Sequence, residues 1–282
     1  MKRYFLEYNR KKVHVTEWSN NDKPVIFCLH GLGSTSFSFL HIAERLKEDF
    51  HIIAIDAPGH GRTEELASAE EYEMPRLADW VYGLIQQLKI GKFFFLTHSW
   101  GSFVGLHFLA KYPNNVIDTL LIDGGYQTKR IWATSMEDEM DDLEKDFDEY
   151  VFESWDDFYR SEKENYLTWT LAIEMAVKDL GVERNNRIHW HARGETARHI
   201  IRGMHLNETE NIYHLLPKNI TLLVATLPEH LLKKRLDTAE VFIQNASGHV
   251  ILVEDSTHML HWDRPEVVVD EIKSRWLTKI GG

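Results

Sequence analysis

Six short stretches of this chain are apolar almost without interruption: "VIFCLH" (25–30), "HIIAID" (51–56), "FFFLT" (93–97), "VIDTLLID" (116–123), "ITLLVAT" (220–226) and "HVILVE" (249–254). A strand with one face in water alternates apolar and polar residues, so runs like these need cover on both faces. Between most of them the apolar spacing changes to i, i+3, i+4, as in "FSFLHIAERLKEDF" (37–50), "PRLADWVYGLIQQLKI" (75–90), "SFVGLHFLAKY" (102–112) and "EVVVDEIKSRWLTKI" (266–280). Strand and helix in alternation specify an α/β fold, a mostly parallel sheet flanked by helices. A hairpin opens the chain, with Arg3 to Tyr8 and Val13 to Trp18 joined at "NRKK".

The rhythm breaks once. From about Tyr126 to Tyr213 there are helical patterns but no strand candidate, and the first half of the gap is dense in carboxylates. This predicts a core formed by 1–125 and 214–282, with a helical cap, 126–213, inserted after the strand that ends near Asp123. The length of 282 residues and the 43% hydrophobic content are ample for one large domain with such an insert. A formal net charge of −12 argues against nucleic acid or an anionic membrane as the main partner. No apolar stretch approaches the roughly 18 residues of a membrane span. The N-terminal segment alternates polar and apolar residues without a signal-peptide core, so the expected location is cytoplasmic. The single cysteine, Cys28, falls inside an apolar run and reads as an inert buried thiol.

The stretch "FFFLTHSWGS" (93–102) poses the functional question. A serine at the end of a strand and the start of a helix is either a turn residue or a nucleophile. As a nucleophile it gains height above the sheet edge, and the amides of the first helical turn face a developing anion. That corner needs small neighbours two positions away on each side. Gly101 meets the need at +2. At −2 stands Thr97 instead of glycine, so the G-x-S-x-G pattern is incomplete.

Four blocks taken together resemble the α/β-hydrolase superfamily. "THSWGSFVGLHFLAKYP" is similar to its nucleophile elbow and following helix, and "HGLGST" (30–35) to its oxyanion loop. "DAPGHGRT" (56–63) is similar to the loop after the next strand, and "EDSTHMLHWDRPEVVVDEI" (254–272) to the segment with the catalytic histidine and last helix. The resemblance implies Ser99 as nucleophile and His258 as its base, with His261 as the local rival. It also implies the backbone N–H groups of Leu32 and Trp100 as oxyanion hole. His30, Gly31, His98, Trp155 and Trp169 are the expected pocket residues, with Trp100 narrowing the space at the attacked carbonyl. The aromatic residues of the insert and Leu171 are expected to pack it onto the body.

Two carboxylates compete to orient the histidine. Family members usually carry the acid after the next-to-last strand, here Glu229 in "ATLPEH"; a minority carry it before the cap, here Asp123 in "LLIDGG". "TLPE" also fits a capping box with Thr226 as N-cap, which would occupy Glu229 structurally. Asp123 is therefore favoured and Glu229 is the alternative. His189, His191 and His199 lack a metal-binding spacing, so no metal and no cofactor are implied.

The expected activity is hydrolysis of a small to medium carboxylic ester through an acyl-enzyme, on a small-molecule substrate. A carbon–carbon bond hydrolase or lyase of the menaquinone-biosynthesis type is one alternative, favoured if Arg193, Arg198 and Arg202 face the pocket. A ligand-binding protein on a hydrolase scaffold is another. The oligomeric state is not legible.

Overall fold

The computed structural model describes residues 1–19, 22–132 and 135–280. Strands β1 (Lys2–Tyr8) and β2 (Lys11–Trp18) form the opening hairpin, and Asn9 and Arg10 turn it with φ of 52° and 63°. Then follow β3 (Val25–Leu29), α1 (Leu40–Leu46), β4 (His51–Ile55), α2 (Met74–Gln87), β5 (Phe93–His98), α3 (Trp100–Lys111) and β6 (Val116–Ile122). The gap region holds α4 (Lys129–Trp132), α5 (Met136–Glu149), β7 (Val151–Phe152), α6 (Trp155–Lys163), α7 (Leu171–Leu180), β8 (Gly181–Arg184), β9 (Arg187–Trp190) and α8 (Gly194–Leu206). The chain closes with β10 (Ile220–Ala225), α9 (Glu229–Ala246), β11 (His249–Val253), α10 (Leu260–Asp263) and α11 (Pro265–Ile280).

Eight strands make one sheet in the order β1-β2-β4-β3-β5-β6-β10-β11, antiparallel only where the hairpin joins it and parallel from β4 onward. Every apolar run of the sequence is one of its strands. Phe93, Phe94 and Phe95 on β5 are all buried, in two apolar layers on opposite faces of the sheet. That is why the run cannot alternate. No described helix is long and apolar enough to cross a membrane. Cys28 is fully buried, and burial pushes its thiol pKa well up.

The gap region departs from expectation. It contains a small antiparallel sheet, β7-β9-β8, besides its helices. Strands of two to four residues are too short to show a period, and Asn185 and Asn186, both at positive φ, make the hairpin turn between β8 and β9. Asp179 on α7 ties the gap region to β1 and to the loops after β3 and β4. This buried carboxylate accepts from Arg3 at 2.7 and 3.0 Å, from Arg62 at 2.6 Å and from Thr35 at 3.1 Å. Leu171, expected to pack inward, is 74% exposed. Asp56 is a buried loop organiser, accepting from the backbone of Ser36 and Arg62 and from His14.

Candidate active site

Strands β5 and β6 are neighbours and parallel, so their C-terminal ends reach the same edge of the sheet. Ser99 follows β5 and Asp123 follows β6. Both backbones take positive φ, 51° at Ser99 and 40° at Asp123, a strained conformation for residues other than glycine. The elbow survives because neighbouring positions lack side chains. A Cβ at Gly101 would lie 2.5 Å from the Leu29 carbonyl oxygen, and one at Gly124 2.2 Å from that of Ser99. The threonine at −2 also has its explanation. Thr97 shares a hydrogen bond with Ser102 at 2.8 Å, and its methyl faces Gly105, where a Cβ would come within 3.1 Å. The space that glycine at −2 would leave is supplied one helical turn further on.

Three side chains meet above this edge. Ser99 Oγ lies 2.8 Å from His258 Nε2, and His258 Nδ1 lies 2.8 Å from Asp123 Oδ2. A carboxylate only accepts, so Nδ1 carries the proton and Nε2 is free to accept from the serine. Asp123 is fully buried, and its other oxygen accepts from Tyr126 at 2.9 Å and from the Ala225 amide at 3.2 Å. The Arg235 guanidinium stands 3.6 Å away. Burial alone would raise the Asp123 pKa. The hydrogen bond and charge of His258, with Arg235 and Tyr126 behind them, more than offset this and hold it below the usual carboxylate value.

Glu229 stands apart. It is exposed and opens α9 behind Pro228, with no capping hydrogen bond. The expected capping box is absent because Thr226 donates instead to the Val253 carbonyl. His261 is buried and bonded to Ser38, away from Ser99. His98 is buried too. Burial first, then the charge of neighbouring His258, lowers its pKa to about 3. It is therefore neutral, and its Nε2–H donates to the His258 carbonyl at 3.0 Å, which fixes the backbone of that residue.

Two cavities open at Ser99. The larger, about 500 Å³, is lined by Phe103, Gln127, Trp132, Met204 and Leu231 as well as Ser99 and His258. The smaller, about 220 Å³, is lined by Leu32, His98, Glu162, Tyr166 and Trp190 together with the same pair. Gly31 presses against the serine: a Cβ there would lie 2.9 Å from Ser99 Cβ.

Several expected pocket residues lie elsewhere. His30 is buried and ties two loops, accepting from the Ala57 amide at 2.9 Å and donating to the Gly31 carbonyl at 2.7 Å. The Trp100 ring does not narrow the site; it stacks on His60, 5.3 Å between centroids, on the far side of the elbow. Trp155 packs inside the insert against Gly181 and Phe158, and Trp169 bonds Glu174. Neither lines the two cavities at Ser99: Trp155 opens α6, and Trp169 lies in the loop between α6 and α7. Arg193, Arg198 and Arg202 pair with Glu65, with Asp141 and Glu144, and with Glu73, outside both cavities. Sequence reasoning missed Tyr126, Arg235 and Glu162. The first was signalled by lying three residues after Asp123; the other two carried no signal.

Comparison with known proteins agrees with the fold. A family model described as alpha/beta hydrolase fold matches residues 24–265. A human serine hydrolase-like protein is 29% identical over 106 residues, 38% of this chain and 52% of its own length. The 3-hydroxybutyrate-oligomer hydrolase of Cupriavidus necator is 32% identical over 108 residues, 38% of this chain and 36% of its own. The chain thus spans about half or less of these curated relatives. Among solved structures, the thioesterase domain from the curacin biosynthetic pathway superposes with a TM-score of 0.78 at 16% identity, covering 96% of this chain and 98% of that one. An esterase from Exiguobacterium antarcticum gives 0.72 at 18% identity, covering 96% and 97%.

Proposed function

The chain belongs to the alpha/beta hydrolase fold family, and within it we propose a serine hydrolase that cleaves a small to medium carboxylic ester, or a related acyl bond, through an acyl-enzyme. The observation that carries the reading is the unbroken hydrogen-bonded line from Ser99 Oγ through His258 to Asp123, 2.8 Å at each step. Ser99 attacks the acyl carbon while His258 Nε2 takes its proton. The resulting imidazolium is held by Asp123 and then protonates the departing alkoxide. Water repeats the sequence in reverse to release the acid. The N–H groups of Leu32 and Trp100 are the oxyanion donors in this reading. Trp100 is the first residue of α3, where backbone amides have no partner within the helix.

Residues 126–213 act in this reading as a lid, since Glu162, Tyr166, Trp190 and Met204 from the insert line the two cavities. The two cavities suit the two halves of an ester. The polycarboxylate substrate that would favour a carbon–carbon hydrolase loses its support, because the three candidate arginines are already paired with carboxylates. The test is p-nitrophenyl esters of increasing chain length with a fluorophosphonate label. Wild type should show saturable turnover and one labelled site, and Ser99→Ala should lose both. An inert, unlabelled wild-type protein would refute the reading.

A further inference from the structure

The smaller cavity contains a carboxyl group that the proposed chemistry does not use. Glu162, on α6, is 2% exposed, yet it lines the space that also contains Ser99 and His258. Its carboxylate is met by neutral partners, the Tyr150 hydroxyl at 2.8 Å and the Asn165 side chain, and by no basic group among the described residues. A buried acid without a cation is costly unless something supplies the opposite charge. Aromatic side chains complete the wall. Tyr166 and Trp190 line the same cavity, and the Trp190 ring is braced by Phe147 and Tyr150 at 4.8 and 4.7 Å between centroids. A carboxylate with aromatic rings in one small enclosure is the chemistry that recognises a cationic nitrogen, by ion pairing on one side and cation–π attraction on the other.

We propose that the smaller cavity selects substrates in which one arm of the scissile bond ends in a small ammonium group, with Glu162 as the specificity-determining residue and Tyr166 and Trp190 as its aromatic walls. The identification of the cavity as a substrate site rests on the function proposed above. Burial pushes the Glu162 carboxyl pKa up, against the lowering effect of the Tyr150 hydrogen bond, which is the condition a bound cation would relieve. The neutral state of His98 in the same cavity means that this residue adds no positive charge to compete for the acid.

The experiment compares two ligands of equal shape, pentylammonium and pentan-1-ol, by titration calorimetry against the full chain at neutral pH. No turnover is involved, so the outcome is read independently of whether Ser99 is a nucleophile; the fluorophosphonate label tests that separately. Pentylammonium should bind at least tenfold tighter than the alcohol, and Glu162→Gln should bring the ratio to within twofold. Equal affinities for wild type would overturn the proposal, as would a preference that survives in Glu162→Gln. Should that variant not fold, wild-type NMR replaces it. The Trp190 indole resonance should shift on titration with pentylammonium, and binding that leaves it unmoved overturns the assignment.

Discussion

Replacing Asp123 with asparagine keeps the shape of the side chain and changes one thing, what faces the imidazole. The amide oxygen can still accept from Tyr126 and from Ala225, both of which bond to Oδ1. The amide nitrogen is then forced towards His258 Nδ1, where the carboxylate oxygen now accepts at 2.8 Å. Two donors cannot face each other at that distance, so the imidazole moves its proton to Nε2 and can no longer take one from Ser99. A wrong tautomer in such a triad costs about 10⁴ in turnover, roughly 5.5 kcal/mol at 1.36 kcal/mol per decade. Arg235 loses its countercharge but keeps the Ala225 and Leu227 carbonyls as acceptors, so the protein should remain folded. The assay is the kcat of p-nitrophenyl acetate hydrolysis for wild type, Asp123→Asn and Glu229→Gln, with a melting curve for each. Asp123→Asn should fall by three to four decades, while exposed Glu229→Gln stays within twofold. If the asparagine variant keeps a tenth of wild-type turnover, or if Glu229→Gln is the one that collapses, the reasoning fails.

Two further outcomes follow from the packing. Gly105→Ala should destabilise by about 1–3 kcal/mol because its new Cβ meets the Thr97 methyl at 3.1 Å. Adding Thr97→Gly should recover part of that loss, giving a coupling of at least about 0.5 kcal/mol in a double-mutant cycle by denaturant melts; strict additivity would refute the account of the elbow. Burial, with neighbouring His30 for one and His258 for the other, lowers the pKa of both His60 and His98 to about 3. An unfolded histidine binds its proton near 6.5, so the unfolded chain takes up more protons between these values. Stability is then full above about pH 6.5 and lost as pH falls, by about 2 kcal/mol per histidine at pH 5. Unchanged melting temperatures at pH 7.5 and pH 5 would contradict this.

The strands of the sheet were legible because a strand covered on both faces must be apolar throughout, and each such run maps onto one strand. The serine corner was legible as a strand-to-helix turn, and His258 through the resemblance of the segment 254–272 to that of the family. What failed was anything decided by rotation. Trp155 and Trp169 were expected in the pocket from the family resemblance, but which side chains of residues 126–213 meet the cavity depends on how helix α6 and the loop after it dock. Glu162 was hidden for the same reason: amid many surface carboxylates nothing in the sequence distinguishes the one that turns inward. The acid was ambiguous for another cause, and that cause is visible in the sheet.

Strands β6 and β10 run side by side, and the amide of Ala225 at the tip of one hydrogen-bonds the carboxylate carried by the tip of the other. The two loops are thus alternative mounting points around a single spot. A negative charge mounted at either tip would stand beside the same imidazole, with the hydroxyl unmoved. Redundancy of that kind belongs to the scaffold, and it makes this part of the machinery portable where the serine corner is not.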